Sequence, residues 1–287
     1  MSNRTKGICF IILSAFGFAM MATFVKLSGD LPPFQKTIFR NLVACIISFI
    51  LVIYHKESFF GKKENQKALI LRSIFGTLGI ILNFYAIDHL ILSDANMLNK
   101  ISPFFVIIFS AIFLKEKLKL NQILAVLVAF VGCLFIIKPV FDISMIPYLM
   151  GVGSAICAGA AYTCVRKLGG KEQYYTIVFY FSFFSIVVLA PFMIITYKPM
   201  TTLQLIYLLL AGVFATIGQF GVTLAYKYAP GKEISIFDYS NIVFSAIISM
   251  IVFDQLPDHF SFLGYIIIFA ASFYMFMYNK KLDKLKN

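Results

Sequence analysis

Lys100 and Asp238 each stand in a stretch otherwise apolar enough to cross a membrane, SDANMLNKISPFFVIIFSAIFLKEKL (93–118) and ISIFDYSNIVFSAIISMIVF (234–253). An ammonium or a carboxylate taken out of water is costly unless it finds a partner. Such residues inside a span face the bundle interior or a wet cavity. There a lysine binds a carboxylate or another anionic group, and an aspartate binds an amine or carries a proton. Asn96, Asn99, Lys100 and Pro103 are spaced i, i+3, i+4, i+7, which puts them on one helical face. Two plainer readings stand beside this one. Lys100 and Asp238 form an ion pair that only fixes packing, or Lys100, roughly 10 Å from the end of its segment at 1.5 Å per residue, snorkels towards water.

Further polar groups repeat the pattern. Gly212, Thr216, Gln219 and Thr223 share one helical face, and Asn83 follows Gly76 and Gly79. An amide unsatisfied in lipid is costly, so Asn83 and Gln219 are candidate contacts, while small residues permit close helix packing. Tyr162 is the one large polar group in GVGSAICAGAAYTCVRK (151–167), and Tyr239 adjoins Asp238. Each either meets a ligand or bonds a neighbouring helix. Arg40, in IFRNLVA, pairs with Asp30, attracts anions at an outer mouth or anchors the interface. Glu233 caps a helix N-terminus or carries a coupling proton. Asp238 is the better proton carrier, because a carboxylate at depth loses its hydration when charged. Pro103 predicts a kink.

Enzyme chemistry finds no footing. The chain has no HExxH, GxSxG or P-loop motif. Its five cysteines lack CxxC spacing, and its three histidines lack ligand spacing. The reading assigns no cofactor, no metal and no catalytic residue.

The elements that must position these residues are helices in lipid. Of 287 residues, 60% are hydrophobic and 13% charged, against about 25% charged in soluble domains. A bilayer core needs roughly 20 apolar residues per helix. Ten segments qualify: 7–27, 34–54, 69–89, 94–114, 119–138, 145–165, 174–196, 203–226, 232–253 and 259–278. The first is too long for a signal-peptide core and reads as a retained span. With the N-terminus cytoplasmic, nineteen of the 25 Lys and Arg fall on one side and five on the other, Lys100 being the remaining one. The positive-inside rule then puts both termini in the cytoplasm. It also accounts for the net charge of +12 without a solvated basic face for nucleic acid.

The two halves resemble each other. Ser14, Ala15, Thr23 and Val25 match Ser154, Ala155, Thr163 and Val165 at an offset of 140, and Phe75, Thr77, Gly79 and Ala86 match Phe214, Thr216, Gly218 and Ala225 at 139. At that second offset Asn96, Asn99, Lys100 and Pro103 meet Ser235, Asp238, Tyr239 and Ile242. Five spans per half is an odd number, so the second copy enters the membrane inverted. The expectation is an all-α membrane protein of ten transmembrane helices in an inverted 5+5 repeat, 1–139 and 140–287, with a midplane site between the copies.

This architecture, with PPFQKTIFRNLVA (32–44), LNFYAIDHLILSDANMLNKISPFFVIIFSAIFLKEKL (82–118) and TLAYKYAPGKEISIFDYSNIVFSAIISMIVFDQL (223–256), resembles the EamA-like branch of the drug/metabolite transporter superfamily. One departure is visible: where the family usually ends the ninth span with Gly-Glu, this chain has Asp254-Gln255. The resemblance implies a secondary transporter in the cytoplasmic membrane that moves a small polar or amphipathic, amino-acid-like metabolite outward by alternating access. Lys100, Asp238, Asn83, Asn96, Asn99, Tyr162, Gln219 and Tyr239 would line the site. The implied partners are the substrate, membrane lipid and a proton or counter-substrate, in a monomer or homodimer. An uptake permease or exchanger is the alternative. A membrane enzyme, or a receptor or scaffold that transports nothing, are the alternatives of another class.

Overall fold

Apolar runs of about twenty residues with short breaks become long helices, because in lipid every backbone group must be bonded within its own segment. The computed structural model describes residues 3–113, 120–138, 145–168, 171–228 and 235–284. Glu233 lies outside them. The helices are α1 (Asn3–Leu27), α2 (Pro33–Tyr54), α3 (Gln66–His89), α4 (Leu92–Asn99), α5 (Ser102–Phe113), α6 (Leu120–Ile137), α7 (Ile146–Leu168), α8 (Tyr174–Ile195), α9 (Thr202–Tyr228), α10 (Ser240–Phe253) and α11 (His259–Lys284). A 3₁₀ turn, Ser235–Tyr239, leads into α10. Among the described residues eight helices are long and apolar enough to span a membrane, α4 and α5 together making one, and two shorter apolar helices accompany them. Their bounds follow the ten expected segments to within a few residues at most ends. The largest excess is at α11, which runs on through Lys280 and Lys281.

The helices traverse the bundle up and down. One end joins the C-terminus of α1, the N-terminus of α2 and the corresponding ends of α3 and α8, through Lys36–Asp88 (2.6 Å) and Lys198–Asp30 (2.8 Å). The opposite end is tied by Glu172, which accepts from Asn65 Nδ2 at 2.6 Å, and by Tyr180, which donates to Gln66 at 3.1 Å.

The main pairings are α1 with α9, α3 with α7, α6 with α11 and α2 with α8. Glycine makes two of these approaches possible. A Cβ on Gly17 would stand 2.8 Å from the Gly218 nitrogen, and one on Gly264 would stand 2.6 Å from the Gly132 carbonyl oxygen. Ser14 exploits the first approach by donating to the Gly218 carbonyl at 2.6 Å. Outward faces carry exposed apolar side chains, such as Ile50, Leu127, Ile195 and Ile251, as lipid-facing surfaces do.

Candidate functional site

The fourth span is broken where its lysine stands. A proline ring collides with the carbonyl four residues earlier and leaves it unbonded, and for Pro103 that carbonyl belongs to Asn99. The helix accordingly stops at Asn99 and resumes at Ser102. Between them the Ile101 amide bonds Leu98 O at 3.3 Å, an i→i−3 contact. The expected kink is therefore a full interruption, placed one turn before the proline. Among the described residues the ninth span opens on the 3₁₀ turn Ser235–Tyr239, which passes into α10 at Ser240.

This turn meets the interruption of the fourth span. Lys100 Nζ donates to Asp238 Oδ2 at 2.5 Å, with the side chains 15% and 28% exposed. Asp238 Oδ1 is buried without a partner. Tyr239 donates through its hydroxyl to the Lys100 carbonyl at 3.2 Å and is bonded to Ser272 of α11, so the loosened backbone is held from the second half of the chain. Asn96 donates to Ser245 at 2.8 Å, and Asn99 donates to Ser154 at 3.1 Å. Both amides thus join helices around the pair. Asn83 keeps a buried Oδ1 with no partner.

Arg40 and Gln219 are elsewhere. With Arg72, Ser48, Ser182 and Thr216 they line a separate narrow cavity among α2, α3, α8 and α9. Arg40 does not pair with Asp30, whose carboxylate is taken by Lys198. Arg40 is 8% exposed and stands inside the bundle rather than at a mouth, because its position about two turns into α2 carries it below the helix end. Tyr162 is half exposed and lies in electrostatic range of Arg40 and Arg72 without lining their cavity. Arg72 is one of the nineteen basic residues that the positive-inside balance assigns to the cytoplasmic side. The signal that singled out Lys100, a cation inside an apolar run (LILRSIFG, 69–76), was present there too.

A third set of charges closes one end of the bundle. Lys36, completely buried, pairs with Asp88. Lys26 donates to Leu90 O at 2.5 Å and to Gln255 Oε1 at 3.1 Å. Asp94 accepts from the Tyr265 hydroxyl, and from Ser261 at 3.3 Å. This network accounts for Asp254-Gln255. Asp254 sits at φ 51°, the left-handed conformation that glycine adopts without strain, and Gln255 supplies a neutral acceptor to Lys26. Among the described residues no group of three or more His, Cys, Asp or Glu could hold a metal ion.

Relatives agree with this architecture. The model of the EamA-like transporter family matches residues 5–138 and 145–277. The chain is 32% identical over 269 residues to a pseudopaline exporter of Pseudomonas aeruginosa, covering 93% of this chain and 94% of that one. It is 27% identical to human solute carrier family 35 member G1, covering 93% and 77%, and 24% identical to a riboflavin transporter of Vibrio cholerae, covering 99% and 94%. A crystal structure at 14% identity shares the fold with a TM-score of 0.68, over 97% of this chain and 99% of that one. This multi-pass membrane protein, a transporter of small molecules and not an enzyme, belongs to the EamA-like transporter family of the drug/metabolite transporter superfamily.

Proposed function

We propose that the protein exports a small polar or amphipathic, amino-acid-like metabolite across the cytoplasmic membrane by alternating access, with both termini in the cytoplasm. The observation that carries this reading is the Lys100–Asp238 pair, where the interruption of the fourth span meets the 3₁₀ turn that leads into α10. A zwitterion replaces the pair: its carboxylate takes Lys100 and its ammonium takes Asp238. In the empty cycle, a proton on Asp238 or a counter-substrate fills the same role. Broken helices at a midplane site are how secondary transporters expose backbone and charge to a substrate. Asn83, Asn96, Asn99 and Tyr239 supply the surrounding hydrogen bonds; Gln219 contributes from the arginine cavity, and Tyr162 from within electrostatic range of its two guanidiniums. Glu233 is the second candidate for the coupling proton.

The two halves, 1–139 and 140–287, act as inverted copies. The helix pairings support this. Exchanging each span for the one five places on turns the α1–α9 pairing into the α7–α3 pairing and returns α2–α8 and α6–α11 to themselves, as a twofold axis in the membrane plane requires. The ionic layer at Lys26, Lys36, Asp88 and Asp94 is then the outer gate, closed in this conformation. Efflux is favoured by the relative whose name is that of an exporter; uptake is the second reading.

Flux into and out of proteoliposomes, with and without a pH gradient, tests the proposal. Lys100→Ala and Asp238→Ala each abolish flux while membrane insertion is intact. Normal transport by both variants would refute the site. A protein that moves no metabolite in either direction would be a receptor or scaffold.

A further inference from the structure

Among the described residues the two arginines inside the bundle have no carboxylate counterion. Arg40 donates from Nη1 to the neighbouring Asn41 at 2.6 Å, and the Arg72 guanidinium lies 4.0 Å from the centre of the Phe181 ring. The Nε of each is buried without an acceptor. Among the described residues neither forms an ion pair with a carboxylate, and each stands within electrostatic range of the other. A buried lysine escapes such a position by losing its proton; a guanidinium does not. Two like charges in a low-dielectric cavity, with no carboxylate beside them among the described residues, favour a bound anion.

The rest of the lining suits an oxygen-rich anion. Ser182 Oγ is buried and unbonded, and Ser48, Thr216 and Gln219 add polar surface. Phe181 and Phe220 form apolar walls. Space for the Arg72 fork depends on Gly76, where a Cβ would stand 2.1 Å from Nη1. Guanidinium forks match pairs of oxygens on carboxylate or phosphate and have no such match to a spherical ion.

We infer that this cavity binds a doubly charged oxyanion on a soluble small molecule, either two carboxylates of one metabolite or a phosphate, with Arg40 and Arg72 each contributing one fork. The inference takes from the proposed function only that the protein carries a small molecule. It does not depend on Lys100 or Asp238, and it makes the cargo anionic rather than simply zwitterionic.

Purified full-length protein in lipid-free detergent is titrated with succinate, inorganic phosphate, acetate and chloride at constant ionic strength, with melting temperature as the readout. Succinate or phosphate raises the melting temperature saturably, and acetate and chloride need at least tenfold higher concentration. Arg40→Gln and Arg72→Gln each remove the shift. Arg72→Lys and Gly76→Ala, which keep the charges but lose or displace the fork, raise the half-maximal concentration at least tenfold. Lys198→Gln, a surface charge removal, leaves it unchanged. The inference is overturned if wild-type protein responds to no dianion, if chloride is as effective as succinate, or if only vesicles containing phosphatidic acid stabilise it. The wild-type titration decides even where an arginine variant fails to fold. Loss of this binding leaves the Lys100–Asp238 reading standing. Normal flux in Lys100→Ala and Asp238→Ala removes that reading and leaves this one.

Discussion

Lys100–Asp238 and Arg40–Arg72 are two pairs of ionised side chains inside one bundle, and they differ in sign. The first is a cation facing an anion at 2.5 Å, neutral as a unit, with only Asp238 Oδ1 left without a partner. The second is a cation beside a cation, with no partner carboxylate among the described residues. A site that is already neutral must be opened by its substrate, which exchanges one set of contacts for another. A site with a net charge of two waits for its ligand and is least stable when empty. The two therefore answer differently to the same substitution.

The largest difference is in transport. Lys100→Ala and Asp238→Ala should each lower flux at least ~100-fold, about 2.7 kcal/mol at 1.36 kcal/mol per tenfold, while Lys100→Met with Asp238→Met should fold as well as wild type, since a whole buried pair is replaced at little cost. Normal flux in the double variant would reduce the pair to packing. Next is Lys36, completely buried against Asp88. Lys36→Ala leaves the Asp88 carboxylate, 17% exposed, without its counterion and should destabilise the protein by about 1–3 kcal/mol, read as a fall in melting temperature in detergent. A change within error would show that water already reaches Asp88.

Arg40→Gln should have the opposite sign. Without ligand it removes one of two repelling cations and should stabilise the protein by about 1–2 kcal/mol. A loss of stability instead would mean that Arg40 already has an anionic partner. The smallest effect is expected at Asp30, where the Lys198 ammonium holds the carboxyl below its usual range. A lowered carboxylate contributes stability above its unfolded value, near pH ~4, and loses it as pH falls through the lower folded value. The side chains are 51% and 98% exposed, so Asp30→Asn should leave the melting temperature at pH 7 unchanged. A measurable drop would place this contact in the gate.

How much of this was legible in the residues depends on the distance over which the governing physics acts. Helix positions were readable because lipid demands about twenty apolar residues and internal bonding for each span, a property of contiguous sequence. Lys100 and Asp238 were readable as a pair because ionised residues stand out against an apolar run and the offset of 139 aligns their neighbours. Arg72 carried the same contrast but sat near enough to a segment end to pass as a topology charge. Its depth is set by where α3 begins, at Gln66.

The sequence by itself determined that the chain lives in a membrane, where its helices start and stop, and that at least one cation must be shielded from lipid. Only the tertiary structure decided which charges face each other. Asp238 took Lys100, a pairing that the residues offered as one of several readings; Lys198 rather than Arg40 took Asp30; and the two arginines came to one cavity. Those partnerships span from 32 to 168 residues. They are selected by helix packing at glycine contacts such as Gly17 with Gly218, whose geometry no local pattern of residue types encodes.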